Sequence, residues 1–237
     1  MNDVVSPLAV AVADLGAVGN STGATAILTG VTVAAGASIV VGISTEDTAL
    51  GTVSDSAGNT YQLVDSSAYT GASAASFGGV FVALNITNAL SAGSITYTKS
   101  TVGVRAILAA GYATGVSGAL VDTAVTTHAI NNTAVTSGSV VGGTPSAAGQ
   151  AHFGFAAYSS GSNRTLTLVG AGWTTPPFTT NTSAGTRTQD GGGYIIPAGA
   201  TAQTFSFTLS GTATFAAFII SLAVPVIRPH SMLMMFD

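Results

Sequence analysis

The chain has no cysteine among its 237 residues, so neither a disulfide framework nor a thiolate metal site is available to it. Charge is nearly as scarce. Asp, Glu, Lys and Arg together make up 6% of the residues, against roughly 25% in ordinary soluble domains. Lys99 is the only lysine and Glu46 the only glutamate. Arg105, Arg164, Arg187 and Arg228 stand singly and the net charge is -4, so the clustered cations that a phosphate backbone requires are missing and no nucleic-acid partner is expected. Long apolar runs are also missing. The longest, residues 215–227, is broken by Ser221 and Pro225 and falls short of the ~20 residues of a membrane-spanning helix, so no membrane partner is expected. The opening "MNDVVSPLAVAVADLG" lacks a basic n-region and carries Asp3 and Asp14, which argues against secretory export.

What the chain does have is 47% hydrophobic residues, 30 glycines, and polar positions filled mainly by Thr, Ser and Asn. Such a chain can fold, because disorder needs low hydrophobicity together with high charge. Its residue types suit strands and turns. Period-two alternation recurs at Val80, Val82, Leu84 and Ile86, at Leu166 and Leu168, and at Phe205, Phe207 and Leu209. Continuous apolar runs at 38–43 and 215–224 read as strands covered on both faces. Turn signals fall at "SAGS" from Ser91, "GG" at Gly142, "TPSAAG" from Thr144, "TPPF" from Thr175, "DGGG" from Asp190 and "IPAGA" from Ile196. The spacing predicts ten to twelve strands in an all-β, two-sheet antiparallel β-sandwich or jelly roll. Residues 1–21 are expected to form an N-terminal arm, 22–224 the sandwich, and 225–237 an extended apolar tail, since Pro225 and Pro229 cannot donate to a sheet ladder. "VAAGASIVVGISTED" from Val33 and "SAAGQAHFGFAAYSS" from Ser146 echo each other, as two related half-sandwiches or as a chance result of abundant Ala and Gly.

Few residues suggest chemistry. Asp55-Ser56-Ala57-Gly58-Asn59 could be a cation loop, but calcium takes six to eight oxygens and only Asp65 offers a second carboxylate nearby; turn chemistry accounts for the stretch. His128, His152 and His230 follow no ligand spacing. No "GxSxG" elbow exists to expose a nucleophile. Glu46 and Asp47 are adjacent, a poor arrangement for the opposed carboxylates of glycoside hydrolysis. Trp173 either fills a core or stacks on a sugar, with Tyr69 and Tyr112 as further aromatic candidates. No catalytic, cofactor-binding or metal-binding residue is assigned, and no cofactor is expected.

The stretches "AAGASIVVGIST", "SDSAGNTYQLV", "GGVFVALNITNALSAGSITYT", "SGALVDT", "TPSAAGQAHFGFAAY", "GAGWTT" and "TFSFTLSGTATFAAFIISL", running from about Thr22 to Val224, resemble the jelly-roll modules of tailed-phage virion proteins and bacterial surface proteins. The resemblance implies a lectin-like sandwich used for display or attachment, and it brings no active-site residues with it. The expected function is therefore a non-enzymatic virion structural protein, a capsid decoration, cement or accessory head protein. It would be assembled in the host cytoplasm and act as a homo-oligomer with partners such as the major capsid protein. Met232, Leu233, Met234, Met235 and Phe236 are the expected interface, five adjacent apolar residues in an otherwise polar-flanked tail. The alternative is a carbohydrate-binding attachment module with a glycan partner. An ice-binding protein, suggested by "TYT", "TLT", "TRT" and "TAT", is the third reading.

Overall fold

The computed structural model describes residues 9–71, 75–116, 120–175, 178 and 188–223. Among these residues there are fourteen strands and no helix. The first eight are β1 (Ala11–Asn20), β2 (Thr25–Val33), β3 (Ser38–Thr45), β4 (Thr52–Asp55), β5 (Gln62–Thr70), β6 (Ala75–Ala83), β7 (Leu90–Thr98) and β8 (Ala106–Thr114). The remainder are β9 (Leu120–Val121), β10 (Thr127–Val141), β11 (Ala151–Ser159), β12 (Leu166–Val169), β13 (Gln189–Ile195) and β14 (Thr204–Ala223). Every pairing between them is antiparallel. The chain is an all-β sandwich protein, as its alternation and its lack of charged helix formers predict.

Three sheets rather than two build it. A first inner sheet runs β1-β8-β3-β6-β5, a second runs β10-β14-β11-β13 with β12 and β9 also on β14, and an outer sheet runs β2-β7-β4. Side-chain parity sets the layers, because successive residues of a strand face opposite ways. Along β3, Ile39, Val41 and Ile43 join Ile95, Tyr97 and Val33 of the outer sheet in one core. Val40 turns the other way, into a second core with Phe153, Phe155, Phe218 and Ile220 of the second inner sheet. A third core lies on the far side of that sheet, where Phe205, Phe207 and Leu209 from the first half of β14 fold over Ala156, Tyr158 and Ala217. Both inner sheets are therefore covered on both faces, which is why β3 and β11 are buried at every position.

The strand pairings show that the chain contains the same arrangement twice. Gly36 and Gly149, both at positive φ (84° and 73°), end the turns before β3 and β11, and counting from them aligns Thr45 with Tyr158. Thr45 pairs with Ala106, which pairs with Asn20; Tyr158 pairs with Phe215, which pairs with Asn131. Thr98 pairs with both Thr25 and Thr52; Thr208 pairs with both Ser137 and Thr167. Thus β10 does the work of β1 and β2 in a single strand, β14 that of β7 and β8, and β11, β12 and β13 stand where β3, β4 and β6 stand. The two halves meet back to back across the second core. Of the two explanations for the "AAG" echo, this is the related half-sandwiches.

Several expectations differ from what the chain does. Ala11–Asn20 is not an arm outside the sandwich: it is β1, hydrogen-bonded along β8 with a bulge at Asp14 and Gly16. "SAGS" lies inside β7, where the register against β2 slips and Ala92 takes a positive φ of 50°; it is a bulge rather than a hairpin turn. "DGGG" is the body of β13 and is buried. The glycines are there because neighbours crowd in: a Cβ on Gly192 would collide with the Gly154 carbonyl, and one on Gly193 would stand 2.6 Å from the carbonyl oxygen of Thr174. The final strand runs as far as Ala223, the last described residue, and the expected tail at 225–237 lies outside the described residues.

Candidate functional site

The loop at Asp55 is a turn held by its own hydrogen bonds. Asp55 Oδ1 accepts from the amides of Ala57 (2.9 Å) and Asn59 (3.0 Å), and Oδ2 accepts from Asn59 Nδ2 (2.9 Å) and the Tyr61 hydroxyl (3.1 Å). Asn59 in turn bonds the Asn88 backbone at both its amide nitrogen and its carbonyl, which ties the turn to the start of β7. With both carboxylate oxygens engaged, the loop is complete without a cation. No group of three or more metal-ligating side chains occurs among the described residues.

The other sequence candidates are dispersed. Glu46 pairs with Arg105 at 2.8 Å, while Asp47 accepts from the amides of Thr48 and Thr101, so the adjacent acids point to different partners. His128 Nδ1 lies 3.0 Å from Asp65 on β5, tying the two inner sheets together at their edge. Trp173 donates to the Thr204 carbonyl (2.8 Å) and packs edge-on against Phe205 in the third core. Tyr69 is buried in the second core and Tyr112 packs on the first. The three aromatics occupy three layers, so no aromatic cleft forms from them. His230 and the expected interface residues Met232 to Phe236 lie outside the described residues.

Two surfaces are left. One is the outward face of β2-β7-β4, where Thr25, Thr98 and Thr52 form one cross-strand row and Ile27, Thr96 and Ser54 the next. The corresponding face of the second half places Ser137, Thr208 and Thr167 in one row and Ser139, Ser206 and Val169 in the next. Their side chains are exposed or half-buried and none is charged. Thr96 and Thr98 of "TYT" and Thr167 of "TLT" thus lie in these paired faces. The layer order puts the faces on opposite sides of the molecule.

On the second face a groove of about 490 Å3 opens between β10 and β14, where the register slips between Asn131, Val135 and Ser137. Asn131, Ser137, Ser139, Ser206 and Thr208 supply its polar wall, and Phe207 and Phe215 its floor. Gly138 permits it, since a Cβ there would come within 2.5 Å of both rings. The first half carries buried Ala26 at the corresponding position and small Ala106 in place of Phe215. There the neighbouring bend is closed by Lys99, whose Nζ donates to Asn20 O (3.1 Å), Asn20 Oδ1 (3.3 Å) and the Val104 carbonyl. Leu209 follows Thr208 where Lys99 follows Thr98, so the second half has no such plug. Sequence reasoning missed the groove because Ser and Thr are common everywhere along the chain. Only the half-to-half alignment singles these positions out.

Two buried ionisable groups complete the inventory. Asp190 sits beside Ala157 in the β13–β11 ladder, fully buried, with neither carboxylate oxygen hydrogen-bonded. Burial pushes its pKa well above the ordinary 3.8, because a low-dielectric interior disfavours the charged carboxylate. His152 is likewise buried with neither ring nitrogen bonded, and burial lowers its pKa from 6.5 to about 4 against the opposing pull of Asp122. Asp122 itself is engaged by the amides of Ala124 and Ser146. Asp190 and His152 lie five pairs apart along the same β11–β13 ladder, too far to act as one acid–base pair.

No protein-family model matches the chain, and no curated protein matches it.

Proposed function

We propose that this chain is a non-enzymatic structural protein of a phage particle, a head decoration, cement or accessory protein built from two jelly-roll halves. It works through protein–protein contacts with copies of itself and with other virion proteins such as the major capsid protein, and it is assembled in the host cytoplasm. What supports the reading most is the pair of uncharged, hydroxyl-rich faces on opposite sides of the molecule, with Ile27 and Val169 each 45% exposed within them. A face of that kind loses little on desolvation compared with a charged one, and it packs against another protein without requiring matched charges. Three loop acids point the same way. Asp47, Asp55 and Asp122 are engaged with backbone amides, work that fixes loops rather than transforms a substrate. The sequence resemblance to virion modules supplies the setting.

The test is the composition of purified particles. Quantitative mass spectrometry should find this chain in high copy, on the scale of the major capsid protein. Its absence from particles, or its presence at a few copies, would remove the decoration reading.

A further inference from the structure

We propose that the groove between β10 and β14 is a binding site for a neutral saccharide. The reading is independent of whether the chain is found in particles. The hydroxyls of Ser137, Ser139, Ser206 and Thr208 have no hydrogen-bond partner among the described residues, and Asn131 uses only its Oδ1, accepting from the Thr133 amide at 2.9 Å. Four free hydroxyls and a free amide NH2 therefore converge on one concavity. Each hydroxyl can both donate and accept, which matches the alternating donor and acceptor character of sugar hydroxyls.

The rest of the lining fits the same ligand. No charged side chain borders the groove, so it has nothing to offer an anionic or cationic group and would leave such a group's charge unpaired. Ile130 and Val169, each 45% exposed, stand on its rim, where they can cover the C–H face of a pyranose ring. The volume lies within the roughly 300–1,000 Å3 of small-molecule sites, and it is open enough for a chain of sugars to continue outward. The first half makes the contrast: its bend is closed by Lys99, and Ile27 stands where the second half has Ser139. The site therefore belongs to the second half alone.

Saturation-transfer NMR with the methyl glycosides of glucose, galactose, mannose and N-acetylglucosamine, with sialic acid as the charged comparison, tests this on the full chain. At least one neutral glycoside should bind, with backbone amide shifts confined to the neighbourhood of Asn131, Gly138 and Thr208. The double variant Ser139→Val, Thr208→Val changes only exposed side chains and should lower that affinity by at least about tenfold while leaving the melting temperature in place. Failure of every neutral glycoside to bind, amide shifts centred elsewhere, stronger binding of sialic acid, or an unchanged affinity in the double variant would each overturn the assignment.

Discussion

The ring of Phe155 in one inner sheet occupies the space directly over Gly42 in the other, so that a Cβ added to Gly42 would overlap it. Gly78 receives Phe218 in the same way, with a Cβ there only 2.7 Å from the ring. The second core is thus closed by rings set into glycine seats. Gly42→Ala should cost about 1–3 kcal/mol through overpacking, lowering the melting temperature by roughly 2–4 °C for each kcal/mol. Adding Phe155→Leu should return part of that loss, because the two sites share one contact. Strictly additive melting shifts in calorimetry would show that the ring does not depend on the glycine.

The pH dependence of stability should reveal Asp190 and His152 as opposing terms. His152 has its folded pKa lowered to about 4, so its contribution is present above 6.5 and is lost as pH falls from 6.5 to 4. Asp190 has its folded pKa raised, so its contribution is present below 3.8 and is lost as pH rises through the range above. As pH rises above 3.8 the two groups pull in opposite directions, Asp190 lowering stability and His152 raising it up to 6.5. Asp190→Asn should therefore gain stability with pH between 4 and 6.5, at up to about 1.4 kcal/mol per unit, and His152→Gln should lose stability as pH rises above 3.8. Denaturant titrations at several pH values check both. Parallel profiles for the two variants would contradict the assignment.

Asp55→Ala removes the acceptor for two amides, an amide side chain and a tyrosine hydroxyl at once. A loss of about 2 kcal/mol is expected from the unmade bonds. Calcium should leave the melting temperature of both wild type and variant unchanged; a rise confined to the wild type would mean that the turn is a cation loop after all.

Gly36 and Gly149 occupy corresponding turns at φ of 84° and 73°. No atom lies within 4 Å of a Cβ at either position, so Gly→Ala there tests backbone strain alone. Each substitution should cost about 1–2 kcal/mol, and the two costs should be alike. A cost at one position and none at the other would weaken the correspondence between the halves.

The strands were legible wherever burial was one-sided or complete, as at Leu166 and Leu168 in β12, Phe205 and Phe207 in β14, or the unbroken run of β3. The layering was not. A strand buried on both faces reads the same whether it lies in the middle of a two-layer or a four-layer stack, because the sequence records burial and not what supplies it. Glycine misled in two directions: Gly191 to Gly193 read as a turn although close backbone approach demanded them in a strand, and Gly93 read as a turn although it marks a bulge. Asp190 was noted only as part of that turn, since nothing local signals that a lone acid will be carried into a core. Of the candidate site, the hydroxyl residues were visible as Thr and Ser pairs, but their alignment in rows depends on pairings between distant segments, as for Thr25 with Thr98 and Ser137 with Thr208.

The back-to-back meeting of the halves makes this one chain the equivalent of a closed two-fold dimer whose subunits have been joined end to end. A chain cut in the segment between β8 and β9 would expose Val40, Val80 and Val82 on one piece and Phe153, Phe155 and Phe218 on the other, each an apolar sheet face with no covering. Neither piece would remain a soluble monomer; each would seek the other or a second copy of itself. Joining the subunits also frees them to differ: Lys99 closes the bend in one half, while a groove lies at the corresponding place in the other. A symmetric dimer would have been obliged to carry both features twice or neither.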